Sequence, residues 1–156
     1  MRKTIAIAVG LLSFGSVAAF AHTIDRVPPD VTWNLAVHGD EAKLAYGPPH
    51  SDLVGVMMTC QRGDGAVTIS GDVPGDRPAI VLASGERRLS LAGPVEADPY
   101  SGGHYLEARA PLHNAALDRF AETGELAMVT GGRSTELHAS AKARGDIQRF
   151  FAHCDA

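Results

Sequence analysis

Residues 53–60 read Leu-Val-Gly-Val-Met-Met-Thr-Cys, an apolar run that ends in one of the two cysteines of the chain. Both alternating faces of this run are apolar, which is typical of a strand that is covered on both sides. The other cysteine, Cys154, lies in a helical pattern at the C-terminus. The sequence therefore predicts a central buried strand and a Cys60–Cys154 disulfide that joins the last element to it.

The beginning of the chain has the features of a secretory signal peptide. Two basic residues precede an apolar and small-residue run that ends in Ala19-Phe20-Ala21, which matches the cleavage rule for exported proteins. A membrane anchor is the alternative, but glycines and serines interrupt the run, and it is barely long enough to cross a bilayer. We expect a cleaved signal over residues 1–21, one domain over residues 22–156, and a periplasmic or secreted location.

Export bears on the state of the cysteines, because an oxidising compartment favours disulfide formation. The chain has no Cys-x-x-Cys pair and no cysteine spacing that is typical of a zinc site, and free thiols are the alternative. A bridge between the two cysteines closes a loop of about 95 residues, which on the chain-entropy model stabilises the fold by roughly 4 to 5 kcal/mol.

The charge of the chain excludes some classes of partner. The formal net charge is −4, the acidic residues are scattered, and removal of the basic leader makes the mature chain more acidic. Nucleic acid and anionic membrane surfaces are therefore not expected as partners. No later apolar run is long enough to span a membrane, and the sequence leaves the oligomeric state open.

Short alternating segments separated by turn residues fill most of the chain. In one of them Trp33, Leu35 and Val37 share a face, and Gly39-Asp40 turns it into a second strand. About eight such strands, at spacings near ten residues, predict a mainly β fold that is either a β-sandwich or a small barrel. The predicted core consists of Trp33, Leu35, Val54, Val56, Met58, Val67, Ile69, Leu89, Leu91, Leu106, Phe120, Ile147, Phe150 and Phe151.

The hydrophobic period becomes helical in two places near the C-terminus. One helix is predicted between Asn114, a suitable N-cap, and Gly124, a suitable terminator. At the end of the chain, Ile147, Phe150 and Cys154 recur at helical spacing, which predicts an amphipathic helix docked on the sheets. Between the two helices, Gly131-Gly132 predicts a tight hairpin.

Residues 112–154 thus have the order short helix, strand, Gly-Gly turn, strand, and apolar helix ending in Cys154. This order resembles the C-terminal part of small secreted proteobacterial β-rich proteins, including those of the invasion-associated locus B type. The chain has Ala143-Arg144-Gly145-Asp146 where a Gly-aromatic pair is expected to open the final helix of such proteins. The resemblance implies a periplasmic or secreted sandwich without known catalysis, and it carries over no functional residue.

One hypothesis for the function is a copper-binding protein, either a carrier or an oxidative enzyme. Cleavage after residue 21 makes His22 the N-terminus, so that its amine and imidazole are both available to Cu(II), and a second histidine would complete a set resembling the histidine brace of copper-dependent polysaccharide monooxygenases. His104 and His50 are the first candidates for that second ligand, because both lie beside loop sequences. The alternative is that His22 is an N-terminal residue without a metal role.

A ligand site near the Gly102-Gly103 pair is another hypothesis. Tyr100, His104 and Tyr105 surround this pair, and aromatic side chains at a loop are suited to binding a sugar or a peptide. The alternative is that the two tyrosines simply cover a sheet edge.

Other motifs have structural explanations. The tripeptide at Arg62-Gly63-Asp64 has the residues that a turn requires, and Arg144-Gly145-Asp146 is predicted to open the last helix. Adjacent Met57 and Met58 point to opposite faces of a strand, which favours core packing over metal binding. No Gly-x-Ser-x-Gly, His-Glu-x-x-His or Ser-x-x-Lys motif occurs. We therefore expect an exported, non-catalytic binding or envelope-interaction module whose ligand is unknown.

Overall fold

In a computed structural model, the protein is described over residues 30–75, 79–97 and 103–156. These residues form strands in two antiparallel sheets, with the orders β1-β2-β3-β4-β8-β7 and β10-β9-β5-β6, and two helices. The elements in chain order are β1 (Thr32–His38), β2 (Glu41–Gly47), β3 (Val56–Gln61), β4 (Ala66–Val73), β5 (Ile80–Ser84), β6 (Arg87–Leu91), β7 (Val95–Ala97), β8 (His104–Pro111), α1 (Ala115–Thr123), β9 (Ala127–Thr130), β10 (Arg133–Glu136) and α2 (Ala141–Asp155).

The prediction of a mainly β fold is confirmed. Within the described residues each sheet ends in two open edge strands, so the fold is a sandwich of two sheets and not a closed barrel. The run that ends in Cys60 supplies β3, which pairs with β2 on one side and β4 on the other and is therefore an interior strand, as predicted. The short strand β7 pairs with β8 at the other edge of the same sheet.

The run over residues 53–60 is only partly a strand, because β3 begins at Val56. Leu53 is 76% exposed and Val54 is half-buried, so the prediction that they belong to the buried strand was wrong. The loop between β2 and β3 packs against Gly47, where an added Cβ atom would clash with the carbonyl oxygen of Leu53. The start of the apolar run thus lies in a loop that folds against the end of β2, and hydrophobic periodicity does not reveal this contact.

The helix predicted between Asn114 and Gly124 is confirmed as α1. The side chain of Asn114 accepts hydrogen bonds from the N–H groups of Ala116 and Leu117, which have no partner inside the first turn. Gly124 ends the helix with φ +72°, a left-handed conformation that favours glycine, and its N–H donates to the carbonyl of Phe120.

The last helix, α2, begins earlier than its apolar pattern indicates. Ser140 is its N-cap and accepts a hydrogen bond from the N–H of Ala143, so Arg144-Gly145-Asp146 lies inside the helix and does not open it. The helix packs on β1 and β2 and buries Ile147 and Phe150. Among the described residues, neither helix combines the length and the apolar composition that a membrane crossing requires.

The core is centred on Trp33, which is 1% exposed. Its ring centroid lies 5.3 Å from that of Tyr46 and 5.0 Å from that of Phe120, and its Nε1 donates to the carbonyl of Leu137 at 3.1 Å. One side chain therefore joins β1, β2, α1 and the segment that precedes α2.

The predicted disulfide between Cys60 and Cys154 is present. The two Cα atoms are 5.8 Å apart, and both residues are buried. Next to the bridge, the N–H of Gly63 donates to the carbonyl of Cys154 at 3.0 Å. Arg62 Nη2 also lies 3.1 Å from His153 Nδ1, so the end of α2 is fixed to the end of β3 by a covalent bond and by hydrogen bonds.

Candidate functional site

A groove runs along β1, which is an edge strand of the six-stranded sheet. One wall is the β2–β3 loop, and the other is the first half of α2. Its volume is about 740 Å³, and its lining includes Leu35 and Ala36 of β1, Pro49 of the loop, and Lys142 and Asp146 of α2. We call this surface the edge groove.

The main chain of β1 has unused hydrogen-bonding groups at this edge. The pair His38–Glu41 flanks the two-residue turn of the β1–β2 hairpin, and such a closing pair exchanges both of its main-chain hydrogen bonds. Because hydrogen-bonded and non-hydrogen-bonded pairs alternate, Trp33, Leu35 and Val37 direct their N–H and C=O groups away from β2. No described residue forms a hydrogen bond with these main-chain groups.

The α2 wall of the edge groove is positively charged. Asp146 is 8% exposed, and its carboxylate is paired with Arg149 one turn later, so its charge is compensated. Lys142 is exposed and forms no ion pair with any described residue. The positive end of the α2 dipole lies at the same place and adds to the effect of Lys142.

A second concave surface lies on the outer face of the same sheet around Tyr105, and we call it the Tyr105 pocket. Its volume is about 340 Å³, and Ser70 and Glu107 line it beside Tyr105. The hydroxyl of Tyr105 donates to the carboxylate of Glu96 on the neighbouring strand at 2.6 Å, a charge-assisted hydrogen bond that holds the ring in place. The pocket shares Val54 and Met57 with the edge groove, so the two surfaces are continuous.

The structure separates two of the residues predicted to form a ligand lip. His104 and Tyr105 are adjacent on β8, and adjacent residues of a strand point to opposite faces. Tyr105 lies on the outer face, whereas the ring of His104 packs against Gly75, where a Cβ atom would lie 2.9 Å from Cε1. Tyr100 lies outside the described residues.

The copper hypothesis stays a prediction, because His22 also lies outside the described residues. Of the two suggested partners, His50 lies in the β2–β3 loop with φ +58° and lines the edge groove, and His104 lies at the start of β8. Within residues 30–75, 79–97 and 103–156, no three His, Cys, Asp or Glu side chains are grouped as a metal site requires.

Another groove, of about 730 Å³, lies on the four-stranded sheet and extends to the start of α2. Its floor includes the small side chains of Ala83 and Ala127, and its rim has charges of both signs, from Arg88, Arg144 and Glu136. This surface is suited to polar contacts, and the edge strand that borders it, β10, has only four residues, two of which are charged.

His113 lies at the end of the molecule that carries the disulfide. Its Nδ1 is 3.2 Å from the carboxylate of Asp118 at the start of α1, and its Nε2 is 2.9 Å from that of Asp155 at the end of α2. The hydrogen bonds with Asp155 and then with Asp118 raise the pKa of His113 above its ordinary value. Protonated His113 thus joins the two helices through their carboxylates.

The raised pKa of His113 predicts a pH dependence of stability. Because this pKa is higher in the folded than in the unfolded protein, the stabilisation is complete below about pH 6.5 and is lost as the pH rises through the folded value. We expect H113Q to be less stable than the wild type at pH 5.5, with the difference shrinking by pH 8.5, in urea unfolding experiments. H138Q changes an exposed histidine that pairs with no carboxylate among the described residues, and it is the control. Parallel pH profiles for wild type and H113Q would contradict the assignment.

Comparisons with known proteins give no relative for this chain: no family model, no curated protein and no solved structure matches it. The resemblance of residues 112–154 to proteins of the invasion-associated locus B type therefore stays a prediction. The assignment of the site rests on the geometry of the chain itself.

Sequence reasoning did not find the edge groove, although one signal for it is present. β1 reads Thr-Trp-Asn-Leu-Ala-Val-His and has no Lys, Arg, Asp or Glu, whereas exposed edge strands usually carry charges or prolines that prevent further pairing. An alternating pattern shows that a segment is a strand, but it does not show which side of that strand remains open.

Proposed function

We propose that the protein is an exported, non-catalytic binding module of the periplasm or the cell exterior, and that the edge groove and the Tyr105 pocket form its ligand surface. The observation that supports this function is the continuity of the two concave surfaces through Val54 and Met57. Together they extend from α2 around an open sheet edge to β8, which is the kind of concave surface on which ligands bind.

Export is supported by two features of the chain. The signal-like pattern of residues 1–21 is one, although these residues lie outside the described part of the protein. The Cys60–Cys154 disulfide is the other, because such bonds form and persist in oxidising compartments. The resemblance of residues 112–154 to secreted β-rich proteins agrees with the same location.

Native mass spectrometry of the protein, expressed with its own leader, tests export and the copper alternative together. We expect a chain that begins at His22, has two hydrogens fewer than the reduced form, and does not retain copper against a chelator after one equivalent of Cu(II). Retained copper would favour the copper function, and a chain that keeps its leader and free thiols would contradict export.

Site-specific photo-crosslinking in living cells tests the binding surface. A photoreactive residue at Ala36, which is exposed in the edge groove, is expected to give one discrete adduct with an envelope component. The matched control is Ser90, which is exposed on β6 of the four-stranded sheet. Equal adducts from both positions, or none from Ala36, would contradict the proposed surface.

A further inference from the structure

We infer that the edge groove binds an extended polypeptide segment, which pairs with β1 as an additional strand of the six-stranded sheet and directs acidic side chains toward α2. This inference rests on the proposed binding function and specifies the chemistry of its partner. The partner is a polypeptide other than a second copy of this chain.

The first argument is that β1 is the least protected edge in the described part of the fold. The four edge strands there are β1, β7, β6 and β10. β7, β6 and β10 all contain charged residues, and none is as long as β1, which has seven residues and no charge. Natural sheets protect open edges with short strands and charges, so a long uncharged edge is suited to pairing.

The second argument is the supply of hydrogen-bonding groups. Trp33, Leu35 and Val37 present three unused N–H and C=O pairs, and they are spaced as an incoming strand requires. At about 3.4 Å per residue, these groups cover about 13 Å, which corresponds to a ligand segment of about five residues. The edge groove lies beside this part of β1, so the segment has a wall on each side.

The third argument is the exposed apolar side chain of Val37, which a segment paired with β1 would cover. Val37 is 45% exposed although it shares the inner face of β1 with buried Trp33. It lies next to the β1–β2 turn, and no described strand pairs with β1 on its open side. A bound segment would cover the side chain of Val37, as neighbouring strands cover the other apolar residues of that face.

The charge of the α2 wall determines the type of side chain that the segment carries. Alternate side chains of an added strand face α2, where Lys142 has no ion-pair partner among the described residues and Asp146 is already paired with Arg149. Carboxylates at these positions complement Lys142. A second copy of β1 has no acidic residue to supply them, which argues against self-pairing.

The probe is the peptide acetyl-TVEVEVT-amide, and the readout is amide hydrogen exchange by NMR. Binding is expected to slow exchange at Trp33, Leu35 and Val37 by about tenfold or more, while Asn34 and Ala36, which pair with β2, keep their rates. The lysine version acetyl-TVKVKVT-amide is expected to bind about threefold more weakly, and K142E is expected to reverse this preference. Uniform changes along β1, or none, would overturn the inference.

Two N-methylated peptides provide a control that leaves the protein unchanged. One peptide is N-methylated at the glutamates and the other at the valines that alternate with them. The main-chain N–H groups of alternate residues point to the same side of a strand, so only one of the two peptides loses the N–H groups that face β1. One version is expected to lose binding by about threefold to tenfold and the other to retain it. Equal binding of both would overturn strand pairing even where the peptide binds.

Variants of β1 extend the test to the protein. V37P removes an N–H that faces the groove, V37A keeps it, and A36P removes one that pairs with β2. V37P is expected to weaken peptide binding relative to V37A, whereas A36P is expected to lower the melting temperature most. If V37P does not fold, the N-methylated peptides still decide the question.

The outcomes separate this inference from the proposed function. Discrete crosslinks from Ala36 without the alternating exchange pattern would overturn strand addition, whereas the proposed binding function would still be supported. If neither the crosslinks nor the alternating exchange pattern is observed, both the inference and the proposed function are contradicted. A dimer of the free protein that V37P dissociates would identify a second copy as the occupant and overturn the inferred partner.

Discussion

Replacement of both cysteines by alanine is expected to lower the free energy of unfolding by about 4 kcal/mol. The disulfide joins residues that are 94 positions apart in the chain, so its loss returns a large amount of conformational freedom to the unfolded state. Because domains of this size have a total stability of about 5–15 kcal/mol, this loss removes a large part of the stability.

Urea unfolding followed by the fluorescence of Trp33 measures this effect, since Trp33 is the single tryptophan of the chain and lies in the core. The reduced wild type is the control for the loss of two sulfur atoms, and it is expected to resemble the double alanine variant. Addition of a reductant is expected to leave the free energy of unfolding of the double alanine variant unchanged. A loss of less than about 1 kcal/mol would show that packing alone holds α2 in place.

Features that depend on local sequence were predicted well. The caps at Asn114 and Gly124 act on helix groups within one turn, so their residue types alone indicate where α1 begins and ends. The glycines of the Gly131-Gly132 turn both have positive φ, of 55° and 78°, as a tight hairpin requires. The disulfide was predictable for a different reason, because two cysteines permit only one pairing.

Features that depend on distant contacts were predicted less well. Leu53 is a residue type that is common in strands, yet it lies in a loop whose backbone packs against Gly47. The edge position of β1 likewise follows from the order in which strands pair, which no local pattern specifies. Tyr105 was predicted to be a site residue from its sequence neighbours, whereas Val54 and Met57, which line the same pocket, come from a loop and from another strand.

The same distinction applies to the proposed ligand surface. A sequence pattern indicates which face of β1 is apolar, and that face was assigned correctly for Trp33 and Val37. The groove, however, exists because α2, more than a hundred positions later in the chain, packs beside β1. The binding surface therefore depends on the tertiary position of α2 and should be sensitive to changes in the packing of that helix.

F150A is expected to lower the free energy of unfolding by about 3–5 kcal/mol, because removal of a fully buried aromatic side chain loses its transfer free energy and leaves a cavity. Phe150 is 0% exposed and lies on the face of α2 that meets the sheet, with its ring centroid 5.4 Å from that of Phe151. Urea unfolding followed by Trp33 fluorescence measures the change, and the ring of Phe150 is not among the aromatic neighbours of Trp33 in the described residues.

The matched control is F151A, which changes the adjacent position of the same helix and so alters helix propensity equally. Phe151 is only partly buried and meets Phe120 at 6.1 Å, and we expect its loss to cost roughly 1–2 kcal/mol. Because α2 is also a wall of the edge groove, F150A is expected to weaken peptide binding, whereas F151A should leave it nearly unchanged. Equal destabilisation by the two variants would show that α2 is oriented differently on the sheet, and it would remove the wall on which the binding argument depends.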